Sequence, residues 1–471
     1  MKVLFVGRSV YHFSYYESLL RALCEQGHQV DAVFDEQWSN AKPQSALLRF
    51  SSEGRRFSWR WGKRRSGMLR KLLFNMREIR SYVSYLKRSN QSDFYLNRWK
   101  SYLPRPIRRG VDNPIVKSFL KSSLVEQLLP FIEEICPPEK TILDDIRQIN
   151  PDLIIASPAN MRFSEEVEYV KAGRSLGIPT AIIVLSWDNL TTKGLFHVHP
   201  DLVLCWNSSH VDEAIQIHQI SKENVLPIGA TFFDKWFDTQ RFDLAKEEFY
   251  SRVGLRRGYP FFLYLGSSAN IAEDESWLVE ELNNAIRLHP GMNMRNAQLL
   301  IRPHPANAKN YCKLDGQENL VIWPKLGALP ESDDSQIEFV NSVRHSVATV
   351  GINTTGMMDA IILGRPCITI MADRYQKTQS EASHFRHLFD SGALEIATDG
   401  KSCATILNKL LEGKDETLEA REAFVRKFVR PYGLTKSAGK VGGLALELLG
   451  DAKRWTKAVN VTFFEKAGEK E

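Results

Sequence analysis

Short apolar runs alternate with helical segments from the first residues of the chain, and this alternation limits the fold more than any other feature. Lys2–Val6 reads as a buried strand and Gly7-Arg8-Ser9 as its turn. A helix is predicted over Ser14–Gln26, with Leu19, Leu20 and Leu23 on one face, and a second strand over Gln29–Phe34. The unit recurs with a strand at Leu153–Ala156, a helix around Glu165–Leu176, and strands at Thr180–Leu185 and Leu202–Trp206. A second set begins near residue 260. It comprises strands at Phe261–Leu265, Gln298–Arg302, Leu320–Trp323, Val347–Val350 and Cys367–Met371, with a helix over Asp274–Leu288. Strands this short and apolar, each followed by a helix, need a parallel sheet covered on both faces. The pattern predicts two doubly wound lobes, joined by a polar, charged linker around Asp234–Gly258. A length of 471 residues suits two or three domains.

Charge is unevenly spread. Residues 51–110 hold 17 Lys+Arg against 3 Asp+Glu, a local +14 that leaves −8 on the rest of a chain whose total is +6. Within that stretch Met68, Leu69, Leu72, Leu73, Met76 and Ile79 recur at helical spacing between basic residues, which predicts a basic amphipathic insertion over about 55–125. Three readings stay open for it: a solvated helical hairpin, a contact with an anionic membrane through residues 55–110, or a nucleic-acid surface. No recognised nucleic-acid motif accompanies it, so no nucleic-acid partner is expected. The six cysteines are scattered without a C-x-x-C pair and are expected as buried free thiols in a reducing cytosol. The N-terminal apolar run is too short for a signal peptide, and no run of about 18 apolar residues exists. The expected location is cytoplasmic, with peripheral contact at the inner face of a membrane as one reading.

Several chemistries lack their residues. There is no Asp-x-Asp, no Gly-x-Ser-x-Gly and no His/Cys/Asp set at zinc spacing, so no metal is expected. Gly433–Val441 imitates a phosphate-binding loop but has the wrong spacing, Val441 in place of Ser/Thr, and no preceding strand.

The residues that remain cluster at strand ends. In open parallel sheets, ligands sit at the carboxyl ends of strands. Gly351-Ile352-Asn353-Thr354-Thr355-Gly356 ends one strand and opens a helix, so backbone N–H groups and hydroxyls are offered to a phosphate. Asp359, one turn on, can accept from ribose hydroxyls; the same residues also suit an ordinary N-capped helix. Ile301-Arg302-Pro303-His304-Pro305 ends another strand and presents a guanidinium and an imidazole. Gly266-Ser267-Ser268 ends a third, with Glu273 and Glu275 beyond it read as first-turn acids of the next helix. In the first lobe, the turn Gly7–His12 carries Arg8 and His12. The stretch Ser186-Trp187-Asp188-Asn189 with Lys193 reads as an exposed Trp beside an acid.

The segment Thr354-Thr355-Gly356, Asp359 and Leu363-Gly364-Arg365-Pro366 resembles the donor signature of GT-B glycosyltransferases. Arg302-Pro303-His304-Pro305 resembles the His-Pro element of bacterial capsule and teichoic-acid type polysaccharide transferases. The resemblance implies a GT-B fold, with two Rossmann-like lobes facing across a cleft: an acceptor lobe over 1–240, a donor lobe over 241–440, and a helix and tail over 441–471 returning to the first lobe. It implies a nucleotide-activated sugar as co-substrate, no separate cofactor, and a glycan or lipid-linked acceptor. Gly266, Ser267, Ser268, Arg302, His304, Asn353, Thr354, Thr355, Gly356 and Asp359 would hold the donor. His12, Asp188 and His304 would be catalytic, and Arg8, Trp187, Asn189 and Lys193 would meet the acceptor. Asp359 stands where Glu is commoner in that family. A nucleotide-sugar 2-epimerase shares the fold and a similar turn, but its paired glutamates are replaced by Met357-Met358-Asp359. A non-catalytic nucleotide-sugar or glycan binder is the other alternative.

Overall fold

The computed structural model describes residues 1–39, 45–88 and 92–468. The chain divides into two units, Met1–Asp234 with Arg426–Glu471, and Lys235–Val425. The returning segment thus starts at Arg426, ahead of the 441 expected from sequence.

The first unit is built on seven parallel strands: β1 Lys2–Gly7, β2 Gln29–Phe34, β3 Phe57–Trp61, β4 Leu153–Ser157, β5 Thr180–Ile183, β6 Leu202–Cys205 and β7 Val225–Pro227. Their order is β3-β2-β1-β4-β5-β6-β7. β4, β5 and β6 are buried along their whole length, as their unbroken apolar sequences require. β3 corrects the sequence reading: Phe57–Trp61 belongs to the sheet, paired in parallel with β2, so the insertion begins after it. Its alternation of aromatic residues with Ser58 and Arg60 suits an edge strand with one face packed and one closer to water.

Among the described residues the insertion carries helices over Gly67–Lys87, Asp93–Tyr102, Arg105–Gly110, Pro114–Leu120 and Ser123–Ile135, the first of them the longest. Part of its positive charge is answered from within the unit. Arg70 pairs with Glu165, Lys87 with Glu126 and Lys100 with Asp112, while Arg60 of β3 pairs with Asp145. At its root Arg65 and Arg77 both bind Glu168, at 2.7 and 2.6 Å, and Arg77 also forks onto Glu133, which Lys171 meets at 3.0 Å. All five side chains are buried. The acidic remainder of the sequence thus supplies the counter-charges that fix a basic insertion.

The Gly433–Val441 segment leads into a helix whose first amides are already in use. The Ala438–Ala452 helix that it opens has its first amides, Ala438 and Gly439, donating to the Asp234 carboxylate at 3.0 and 2.9 Å. The C-terminal stretch read as a charged tail contains a helix over Lys457–Ala467.

The second unit holds six parallel strands: β8 Phe261–Leu265, β9 Gln298–Arg302, β10 Leu320–Ile322, β11 Thr349–Gly351, β12 Cys367–Ile370 and β13 Glu395–Ala397, ordered β10-β9-β8-β11-β12-β13. The expected linker is not a tether: it contains a helix over Lys246–Val253 belonging to this unit. No described helix is long and apolar enough to cross a membrane, and the six cysteines are free, with Cys312 exposed rather than buried.

Candidate functional site

In the second unit the strand order reverses between β8 and β11, and at such a switch point adjacent loops part and leave a crevice at the carboxyl edge. The three sequence motifs of this unit leave β8, β9 and β11, which are neighbours. Their loops touch. A Cβ built on Gly266 would lie 3.1 Å from the His304 amide nitrogen and 3.2 Å from Pro303 Cα. Gly327, which the sequence did not single out, lies beneath the same turn. At φ +71°, its hypothetical Cβ would sit 2.7 Å from the Pro303 oxygen and the Pro305 nitrogen. Both faults act together in Gly327→Ala, a left-handed backbone and a clash with main chain that cannot rotate away. We expect a loss of about 2–4 kcal/mol in urea unfolding and a displaced His304 turn.

Thr354 caps the helix Thr355–Ile362 through its side chain, accepting from the Gly356 N–H at 3.4 Å. Thr355 and Gly356 are half-buried at its first turn. Asn353 is buried and donates to the Thr378 carbonyl at 2.6 Å, which shapes the turn. His304 is half-buried; its Nδ1 accepts from the Ala306 N–H at 3.1 Å. That leaves the proton of the neutral ring on Nε2, as a donor. Burial lowers its pKa and keeps the ring neutral. Ser268 is half-buried at the loop, and Ser267 is fully buried beside Glu275.

Three expectations need correction here. Glu275 is not a first-turn surface acid. It is buried, binds the Ser267 N–H, and accepts from the Tyr264 hydroxyl at 2.9 Å. Burial pushes its carboxyl up to about 7 despite these donors. Arg302 does not present its guanidinium as a free fork. It is buried with Nη1 3.3 Å from Ser342 Oγ, lies over the Phe339 ring, and is drawn down to about 10 by burial. Asp359 is not an open acceptor. It is buried, its Oδ1 accepts from the Trp236 indole, and burial raises it to about 6. Trp236 lies 123 residues away in sequence, so no local signal marks it.

Glu275 and Asp359 make a pH prediction. Each binds its proton more tightly folded than unfolded. The stability this confers is present below the ordinary carboxylate range and is lost as pH rises through about 7 for Glu275 and about 6 for Asp359. For Glu275 the loss is on the order of 3 kcal/mol. Glu275→Gln cannot ionise, so its urea-unfolding stability should vary less than that of the wild type between pH 4.5 and 7.5.

The first unit has its own switch point, between β1 and β4, and Arg8 and His12 follow β1 there. Arg8 is buried; Nη2 donates to the Arg162 carbonyl at 2.8 Å and its guanidinium stacks 4.1 Å from the Trp38 ring centre. The buried acids Glu166, Asp35 and Glu78 surround it electrostatically; Glu78 and Glu166 were not anticipated from sequence. His12 is held down to about 4, first by burial and then by Arg8 and Lys193, so its ring is unprotonated at neutral pH. The Asp188 carboxylate accepts from Ser186, from Thr192 at 2.9 Å, and from Lys193 Nζ at 2.9 Å. Trp187 is buried, against the expectation of an exposed stacking ring. Asn189 is buried too, and its amide is exchanged with Asn160, donating at 2.8 Å. It holds the loop rather than facing an acceptor. Apolar residues flank this segment, but a lone Trp among polar neighbours does not reveal which way it turns.

No protein-family model matches the chain, and no curated protein sequence matches it. Solved structures do. UDP-GlcNAc 2-epimerase from Neisseria meningitidis, bound to UDP-GlcNAc, is 12% identical over 95% of this chain and 100% of that one, with a TM-score of 0.54. The UDP-GlcNAc 2-epimerase from Methanocaldococcus jannaschii is 13% identical over 94% and 98%, with a TM-score of 0.52. A glycosyltransferase from Rickettsia africae is 11% identical over 91% and 94%, with a TM-score of 0.50. The two parallel sheets and this likeness define the fold as GT-B. Epimerases and glycosyltransferases share it, so the likeness alone does not choose a reaction.

Proposed function

We propose that the chain is a nucleotide-sugar enzyme which transfers a sugar, or a sugar-like group, to a glycan or lipid-linked acceptor in bacterial surface-polysaccharide synthesis. The observation that carries this reading is the contact between the Gly266–Ser268 and His304 loops, beside the Thr354–Gly356 turn that leaves the neighbouring strand at the second unit's switch point. Amides and hydroxyls of the two turns would hold the diphosphate, and Nε2–H of His304 would donate to the leaving phosphate as its charge develops. Asp359 would meet ribose only alongside its bond to Trp236. Arg302 would support the His-Pro turn from below. An acceptor hydroxyl needs a base if the reaction inverts. His12 is unprotonated and available, whereas Asp188 is already committed to Lys193. A base of such low affinity for protons abstracts one late, so His12 would act mainly by accepting a hydrogen bond.

A second reading is a UDP-GlcNAc 2-epimerase, favoured by the solved structures above. Incubation with UDP-GlcNAc, followed by proton NMR, separates the two. An epimer formed without acceptor supports the epimerase. Release of the nucleotide without any epimer, accelerated by an acceptor, supports the transferase. An inert UDP-GlcNAc moves the search to other nucleotide-sugars, and inertness towards all of them would sink both readings.

A further inference from the structure

The first unit exposes a band of large apolar side chains. The Ser123–Ile135 helix carries Leu124, Leu128, Phe131 and Ile135, all exposed. Their spacing of four, three and four residues puts them on one face. The other side of the same helix is already used: Leu129 and Ile132 pack on Leu73 and Met76 of the Gly67–Lys87 helix. Two helices packed on this one, Pro114–Leu120 and Gly67–Lys87, expose further apolar side chains, Ile115 and Phe119 on the first and Met68, Leu69 and Leu72 on the second, where Met68 is 91% exposed. Nine exposed large apolar residues in three helices are not scattered surface residues, and such patches mark interaction sites.

The rim of the band is basic. Lys71, Arg109, Lys117 and Lys121 are exposed and have no carboxylate partner among the described residues, and Arg108 bonds only a carbonyl. The acids beside them, Asp112 and Glu126, are taken up by Lys100 and Lys87. A second copy of the same face would set these cations against each other. An anionic lipid surface would satisfy both the charge and the apolar stripe.

At its Ile135 end the band adjoins an open pocket of about 540 Å³. Residues that end the Glu166–Ser175 helix and that precede β6 line it, so it opens at the amino edge of the sheet, away from Arg8 and His12. Arg80 bonds only the His197 carbonyl, at 3.0 Å, and Arg174 has no carboxylate partner among the described residues. Nδ1 of His197 and Nε2 of His199 are buried without partners. Two carboxylates also line the pocket, Glu133, which is already bound by Arg77 and Lys171, and Glu134; against them two guanidinium groups and two imidazoles with unused nitrogens suit a phosphate.

We propose that this face of the first unit docks on an anionic lipid surface, with the apolar band in the headgroup boundary and a lipid phosphate in the pocket. The proposal stands whether or not the site above transfers a sugar. The test is co-sedimentation of the full chain with vesicles of phosphatidylcholine alone, or mixed equally with phosphatidylglycerol. The expected result is binding to the mixed vesicles at least about tenfold tighter than to the neutral ones. The double variant Leu128→Ser, Phe131→Ser changes only exposed positions and should keep the melting temperature while losing at least about tenfold in binding. Arg174→Glu should reduce the preference for phosphatidylglycerol. Failure of the wild type to bind either vesicle, or equal binding by the double variant, overturns the docking face. A wild-type dimer that the double variant converts to monomer, with no vesicle binding, overturns it in favour of self-association. An unchanged lipid preference in Arg174→Glu overturns the pocket.

Discussion

Substituting His304 with alanine is expected to lower turnover of the nucleotide-sugar by about 10²–10⁴-fold, with the protein still folded. The ring's one hydrogen bond is to the N–H of Ala306, an exposed residue, so water can replace it and the structural loss is small. The chemical loss is larger. His304 is the side chain at this edge whose neutral state offers a donor on a rigid turn, flanked by Pro303 and Pro305 and supported by Gly327 and Gly266. Because burial lowers its pKa, the donor is the neutral ring. Its contribution should therefore persist from pH 7 to pH 9, where an imidazolium would fade. His304→Gln, which retains an N–H donor of similar reach, should recover part of the rate. Single-turnover release of the nucleotide from wild type and both variants gives the comparison. Full activity in His304→Ala would remove the residue from the reaction.

The second large effect is structural. Glu168→Gln should destabilise the first unit by about 3–5 kcal/mol in chemical denaturation. Glu168 is completely buried and shared by Arg65 and Arg77. Neutralising it leaves Arg65 with the Pro137 carbonyl and leaves Arg77 with Glu133, which Lys171 already partly neutralises. Arg65 is then buried with no carboxylate on its guanidinium, and Arg77 shares its one remaining acid, Glu133, with Lys171; that penalty exceeds the loss of any single hydrogen bond. Because the network joins the Gly67–Lys87 and Ser123–Ile135 helices to the Glu166–Ser175 helix, the insertion should loosen first. Hydrogen exchange would show this as faster exchange over 67–135 than over β4 and β5. Equal stability of the variant would mean that the arginines find water.

Much of the fold was legible because parallel strands buried on both faces leave an unmistakable apolar run. β1, β4, β8 and β9 fall within a residue or two of their sequence limits. β3 was hidden because an edge strand of alternating aromatic and basic residues looks like an amphipathic segment. The site was legible where chemistry sits next to a strand end, as in Gly266–Ser268, His304 and Thr354–Gly356. It was illegible where a residue's environment is set from far along the chain. Trp236 over Asp359, Phe339 under Arg302 and Gly327 under the His-Pro turn are all such cases. Burial also changed the meaning of residues whose type was read correctly. Glu275 is an acid after a strand, but it closes a loop instead of facing water. The basic run of residues 51–110 illustrates the same point for charge, since net charge in a segment says nothing about how many partners the rest of the fold supplies.

The most direct test of the account is calorimetric titration of the protein with nucleoside diphosphates, UDP first, alongside Thr355→Glu. The expected result is saturable binding at one site, a rise in melting temperature that follows ligand concentration, and loss of both in the variant, whose carboxylate would repel the phosphates at the helix start. If no nucleoside diphosphate binds, or if Thr355→Glu binds as well as the wild type, the second unit's switch point is not a nucleotide site and the functional reading fails with it.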